Sequence, residues 1–322
     1  MSETIAMSET AQPVSSDPPP PVTPTRRPTV PAMEEMIGVT IPCLDHGFVR
    51  LVDYMGDDQA VVLAARVSYG TGTKRVREDR GLIRYLLRHR HTTPFEMCEI
   101  KVHMKLPIFV ARQLVRSRTA NLNESSGRYS VIDKEYYLPS PDVLGVQSKS
   151  NRQGRGEPVS PERAQEILEA LRTDAERAYA LYEELLGGTE AAARTGEQQE
   201  AAGEAPQGIA RELARINLPV SFYTQWYWKI DLHNLLRFIS LRADAHAQHE
   251  IQVYAQALAE LTRRWVPDVY EAFVDYQMEG ANLSRMEVAA LRALLAGGTP
   301  DLAALGMSAR EQVEFRERFH LK

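Results

Sequence analysis

Five apolar residues, Cys98, Ile100, Val102, Met104 and Leu106, alternate without a break with Glu99, Lys101, His103 and Lys105. Side chains on a strand point alternately to its two faces, so this run reads as a half-buried strand. Pro107 follows at once and suits the first position of a helix, where its missing N–H costs nothing. The apolar segment after it is predicted to continue as a helix to about Arg118. The chain has no repeating strand–helix–strand unit and no Gly-x-Gly-x-x-Gly or Walker loop. That combination favours an α+β fold, a small, mostly antiparallel sheet packed with several helices.

The flanking sequence fills in the rest. Residues 1–35 carry eight prolines and little apolar periodicity, which predicts a disordered Pro-rich tail. The repeated Met-Ser-Glu-Thr at positions 1 and 7 carries no structural signal. Order is expected from about Ile37, with short strands at Ile37–Ile41 and Phe48–Val52. Asp57 should cap a helix through Val67, a Gly/Thr loop should follow at 70–73, and a second helix should run from Asp79 to about Arg90. Residues 145–158 read as a loop. Ser160-Pro161 should start a long amphipathic helix to about Leu186, and the Gly/Ala/Glu-rich stretch 187–207 reads as a mobile insertion. A short helix is expected near Ile209–Ile216, then a strand from Val220 to Trp228. Helices at 231–241 and 245–265 should follow, the second burying Ile251, Tyr254, Leu258, Leu261 and Trp265. The predicted organisation is a main domain over 36–278 and a C-terminal helical extension over 279–322.

The formal net charge is −5, so anion binding has to come from local clusters, and wholesale nucleic-acid binding is disfavoured. The longest apolar run, Leu106 to Ala111, is too short to span a bilayer. With no charged-then-apolar leader pattern, the cytoplasm is the expected compartment. Cys43 and Cys98 alone make neither a disulfide framework nor a thiolate metal site, and no metal is expected.

The strongest chemical signal runs from Arg112 to Ser130. Arg112 and Arg116 are four apart and would share a helix face, with Gln113 beside them and Arg118 at the helix end. The stretch Asn123-Glu-Ser-Ser-Gly-Arg-Tyr-Ser130 adds hydroxyls, a glycine that admits close backbone approach and another guanidinium. Guanidinium forks match phosphate oxygens, and successive backbone N–H groups there offer an anion nest. A solvated basic face is the plain alternative, and the Ser/Gly-rich continuation counts against it. Downstream, Arg211 and Arg215 share one helix face, Asp231, His233 and Arg237 span under two turns of another helix, and Arg242 and His246 are four apart. Arg242 lies among apolar residues in Leu241-Arg-Ala-Asp244, and a buried arginine needs an anionic partner, from the protein or from a ligand.

These blocks together resemble the flavin-dependent thymidylate synthases. The family signature, Arg-His-Arg, seven residues, then Ser, is matched by Arg116-Ser-Arg118, seven residues, then Ser126. His91-Thr-Thr-Pro-Phe-Glu96, Pro107-Ile-Phe-Val-Ala-Arg-Gln113, Ser126-Gly-Arg-Tyr129 and Leu241-Arg-Ala-Asp-Ala-His-Ala-Gln248 resemble the family's flanking blocks. The resemblance covers about 37–275.

It implies a methyltransferase making thymidylate from deoxyuridylate (dUMP), with methylenetetrahydrofolate as carbon donor and NADPH-reduced FAD as hydride source. Deoxyuridylate would be held by Gln113, Leu114, Val115, Arg116, Glu124, Ser125, Ser126, Gly127, Arg128 and Arg215. Arg242 would lie at the uracil ring and favour ionisation at N3. FAD would contact Ser68, Thr93, Glu96, Arg116, Ser117, Arg118, Thr119, Asn123, Glu124, Asp231, Leu232, His233, Arg237 and His246, with His91 on the folate and flavin side. The family forms homotetramers whose pockets draw on several chains. The resemblance also implies that no cysteine nucleophile attacks uracil C6. The residues agree, since Cys98 falls on the apolar strand face and Cys43 has no basic neighbour in sequence. Ser126 has no paired base and reads as a phosphate ligand. Two positions depart from the family, Ser117 for the signature histidine and Ser125 for a bulkier residue, and activity is expected to survive both. A flavoprotein without methyl transfer and an RNA-binding module using the Arg112–Arg128 cluster are the competing readings. The acidic net charge and lack of exposed-aromatic RNA motifs disfavour the second.

Overall fold

The computed structural model describes residues 24–67, 76–148, 154–187 and 208–321. The first 23 residues, the Gly/Thr loop and nearly all of the expected 187–207 insertion lie outside them. Order starts inside the segment expected to be a tail. A short helix, α1 (Pro31–Glu34), buries Met33 completely, and the Val30 N–H donates to the Tyr54 hydroxyl at 2.7 Å. The proline count outweighed Met33 and Met36, the two apolar side chains that anchor this segment.

Strands β1 (Thr40–Cys43) and β2 (Gly47–Met55) pair antiparallel. The first sits later in the chain than the sequence pattern places it, and the second contains the expected Phe48–Val52 and extends beyond it at both ends. The sheet uses Ile37 only as an isolated bridge to Leu51. Asp57 caps α2 (Asp58–Arg66) by accepting from the Ala60 N–H at 2.8 Å. Next come α3 (Val76–Arg88) and α4 (Thr93–Glu96). The alternating run forms β3 (Glu99–Pro107) with Ile100, Val102, Met104 and Leu106 buried. Helix α5 (Ile108–Leu114) leaves it directly.

An unforeseen strand, β4 (Asn121–Glu124), follows; the expected loop at 145–158 contains a hairpin of β5 (Gly145–Gln147) and β6 (Arg155–Pro158). Neither carries an apolar pattern, because no core stands behind it. Ser160 caps α6 (Pro161–Leu185) as expected, and Tyr179 and Tyr182 on that helix pack with Phe222 and Ala214. After α7 (Arg211–Ala214), strand β7 (Tyr223–Asp231) runs between β3 and β4 and completes a five-stranded antiparallel sheet of order β1-β2-β3-β7-β4.

Helices α8 (Leu232–Arg242), α9 (His249–Trp265) and α10 (Pro267–Phe273) follow β7. The five α9 residues expected inside are all fully buried. Burying side chains of this size contributes roughly 1.5–3 kcal/mol each. The fold is thus the expected α+β arrangement, one sheet face on the α9 core and the other carrying Lys101, His103, Gln225 and Tyr227.

The chain divides after Phe273. The second unit holds α11 (Arg285–Leu295) and α12 (Ala309–Arg318), each opened by a Ser/Glu capping box, around a small core of Ala290, Leu302, Met307 and Phe315. No helix among the described residues is long and apolar enough to cross a membrane.

Candidate functional site

Helix α5 stops sooner than its sequence suggests. Its last residue is Leu114, and Arg116 already lies past the cap. Arg112 and Arg116 therefore do not share a helix face. Tight turns follow instead, with the Ser117 N–H donating to Leu114 O at 2.9 Å and the Ala120 N–H to Ser117 O at 3.1 Å. These turns aim Arg116, Ser117, Arg118 and Thr119 at the side of α8.

Strand β7 hands the chain to α8 through Asp231. Its carboxylate caps the helix by accepting from the Asn234 backbone N–H at 2.9 Å and from the Asn234 side-chain amide at 2.7 Å. Capping fixes the first turn and so the direction of the residues three and four apart along it. Asn234, Arg237, Phe238, Leu241 and Arg242 face the 116–119 turn across a cleft of about 490 Å³.

Arg116, Arg118, Arg237 and Arg242 all line this cleft, and none of its lining residues is acidic. Among the described residues no carboxylate pairs with any of these four guanidiniums. A chain of net charge −5 has gathered uncompensated positive charge at one place. Like charges gathered at one cleft raise the local positive potential and attract an anion. Arg242 itself is half-buried, more open than the apolar sequence around it suggests.

A second group forms nearby in sequence. On β4, Asn123 and Glu124 stand opposite Tyr227 and Trp226, and Glu124 accepts from the Thr224 hydroxyl at 2.7 Å. The following turn does not form the expected open nest of backbone donors. The Ser125 N–H donates to Gln225 O, that of Arg128 to the Ser126 hydroxyl, and those of Tyr129 and Ser130 to Ser126 O. Gly127 lets the turn close on Arg215, since a Cβ at that position would stand 3.2 Å from the Arg215 Cδ and 2.9 Å from Ile132. Arg128 pairs with Glu212 at 3.1 Å, both well exposed.

The remaining expected residues are spread wider. Helix α4 carries Thr93 and Glu96 and packs against α8. His91 is exposed, with its ring stacked on Tyr85 at 5.9 Å. His246 is 85% exposed and bonds Asp244 through its backbone N–H and ring, both at 2.8 Å. Leu114 and Leu232 are fully buried and have only backbone to offer, whereas Val115 is exposed. Ser68 lies outside the described residues. Gln113 donates to Gln248 at 2.6 Å. None of the group at 124–128, Arg215, Thr93, Glu96 and His246 lines the arginine cleft of the same chain.

Asn234, Phe238 and Leu241 also line the cleft and are not among the residues expected there. The signal was available, because they lie one to four residues from Arg237 along a helix already predicted. Both thiols are buried. Burial pushes Cys98 up to about 12, with Asp57 and Asp58 adding to the shift, and raises Cys43 further. No cluster of metal-binding side chains occurs among the described residues.

Comparison with known proteins supplies independent evidence. The family model for thymidylate synthase complementing protein matches residues 50–268. The flavin-dependent thymidylate synthase of Ruegeria pomeroyi is 54% identical over 294 residues, covering 91% of this chain and 92% of its own. That of Gluconobacter oxydans is 53% identical over 290 residues, with 90% of each chain covered. Among solved structures, a UMP/dUMP methylase, PolB, from Streptomyces cacaoi bound with 5-Br dUMP superposes with a TM-score of 0.60 at 31% identity. That match covers 74% of this chain and 99% of the methylase.

Proposed function

The chain belongs to the flavin-dependent thymidylate synthase family, and from that premise we propose that the arginine-lined cleft is where its flavin and its deoxyuridylate meet. The observation that carries this reading is the four guanidiniums of Arg116, Arg118, Arg237 and Arg242 facing one cleft without a carboxylate. A cleft of that charge fits a dinucleotide diphosphate and a nucleotide phosphate, both of which need guanidinium donors.

Arg116 to Thr119, Arg237 and the cap region Asp231 to His233 hold the FAD, joined by Asn123, Glu124, Thr93, Glu96, Ser68 and His246. His91 stands on the folate side. Deoxyuridylate is held by Gln113 to Arg116 and Glu124 to Arg128, with Arg215 supplying a further positive charge to its phosphate. When bound, FAD reduced by NADPH supplies the hydride that completes the methyl group, whose carbon comes from methylenetetrahydrofolate. Arg242 stabilises negative charge at uracil N3. Loss of the N3 proton enriches the ring in electrons and makes C5 a better nucleophile.

Neither cysteine attacks uracil C6, since a thiol that is buried and held protonated is a poor nucleophile. The separation of the 124–128 turn and Arg215 from the cleft of the same chain suits a site completed by other copies in a homotetramer.

Purified protein supplied with FAD, NADPH, methylenetetrahydrofolate and deoxyuridylate should form thymidylate. Arg242→Ala should lower kcat/KM by about a hundredfold or more, with the melting temperature little changed. Absence of product from the wild type overturns the reading; retained turnover in the variant removes Arg242 from its role.

A further inference from the structure

The first turn of α9 carries a buried carboxylate. Glu250 is only 3% exposed. Its Oε1 accepts from the Tyr137 hydroxyl at 3.0 Å and from the Arg155 guanidinium on β6. Its Oε2 accepts from the Gln248 side-chain amide at 2.8 Å. Burial pushes the carboxyl up, but its own backbone N–H, Gln248 and Arg155 outweigh that and hold it below the ordinary range. It is therefore a carboxylate, and a carboxylate only accepts.

That polarity propagates outward. Gln248 has to turn its NH2 toward Glu250, which leaves its carbonyl oxygen for the next partner. That partner is Gln113, whose NH2 donates to Gln248 Oε1 at 2.6 Å. Gln113 is thereby left with its own carbonyl oxygen as the free acceptor. An unconstrained glutamine presents either end of its amide with nearly equal ease.

We infer that Glu250 is a positioning residue which, through Gln248, sets the amide of Gln113 to accept a hydrogen bond from the nucleotide substrate. The group it meets is a donor on deoxyuridylate, a sugar hydroxyl or a ring N–H. The inference rests on the assignment of Gln113 to the deoxyuridylate site. It adds a specificity element that no residue touching the substrate reveals, and it ties the β5–β6 hairpin to substrate binding through Arg155.

The test uses the flavin-loaded enzyme and deoxyuridylate titrated by calorimetry. Glu250→Gln keeps the shape but puts an NH2 toward Gln248, which reverses both amides. Deoxyuridylate should bind about tenfold more weakly, the loss of one good hydrogen bond, and KM should rise more than kcat falls. Gln248→Leu cuts the chain at an exposed position, spares the buried pair and should weaken binding by the same factor. The double variant Glu250→Gln/Gln248→Glu restores an acceptor facing Gln113 and should recover most of the affinity. A merely structural role for Glu250 predicts no such recovery. Unchanged binding in Gln248→Leu, or no recovery in a folded double variant, overturns the inference. A wild-type enzyme that does not bind deoxyuridylate overturns the site assignment instead.

Discussion

Single residues decide the chemistry here through what surrounds them. Cys98 shows this most plainly. Its thiol packs beneath Gly56, whose φ of +86° leaves no room for a Cβ, because one would fall 2.6 Å from the sulfur. A residue so enclosed serves packing. The strict alternation of β3 already assigned Cys98 to the inner face, so its burial was legible in the sequence. The burial of Cys43 was not, because Tyr254, which lies beside it, comes from a distant part of the chain. Cys43→Ala/Cys98→Ala is expected to retain thymidylate formation, with a stability cost of roughly 1 kcal/mol per site. Turnover falling to background while the melting transition persists would restore a cysteine to the mechanism. Ser117 lines the cleft between two arginines, where the family signature has histidine. A hydroxyl keeps a hydrogen-bonding group there without adding charge to an already positive wall.

At the scale of elements, what could be read depended on whether a core stood behind each segment. Helices α6 and α9 and strand β3 were legible because their apolar periods report a buried face. Strand β4 was not, since all four of its residues are exposed and its place is fixed only by pairing with β7. The early end of α5 was equally hidden, and it is what aims Arg116 and Arg118 into the cleft. Junctions between elements carry their own energetics. Asp58, in the first turn of α2, accepts from the Asp268 and Val269 N–H groups at 3.1 and 2.9 Å and so fixes the start of α10. Burial pushes its carboxyl up to about 6, against those two hydrogen bonds and with help from the Asp268 and Asp57 charges. A carboxyl raised above its unfolded value stabilises the fold fully only below that value, about 4. The contribution is lost as pH rises through about 6. Asp58→Asn has no such titration. Its melting temperature relative to wild type should therefore climb between about pH 4 and about pH 7. A difference that stays flat over that range would contradict the assigned burial.

For the whole molecule, the informative quantity is where charge sits. Composition gives a mildly acidic protein, yet four arginines face one cleft unopposed. The motif spacing made Arg116 and Arg118 legible as a group, and the pattern of the downstream helix singled out Arg237 and Arg242. Their convergence depends on β7 placing α8 beside the turn after α5, which no local pattern encodes. The groups left outside that cleft motivate assembly from several copies. A native mass near four times the 36.2 kDa chain is expected from light scattering at micromolar concentration. A fully active monomer would exclude a shared site.

The central claim is that one cleft brings flavin and deoxyuridylate together. Its most direct test is the visible spectrum of the purified protein during a deoxyuridylate titration. The protein should be yellow, with flavin bands that shift saturably as the nucleotide binds and with that shift lost in Arg242→Ala. A protein that takes up no flavin, or a flavin spectrum that deoxyuridylate leaves unchanged, would contradict it.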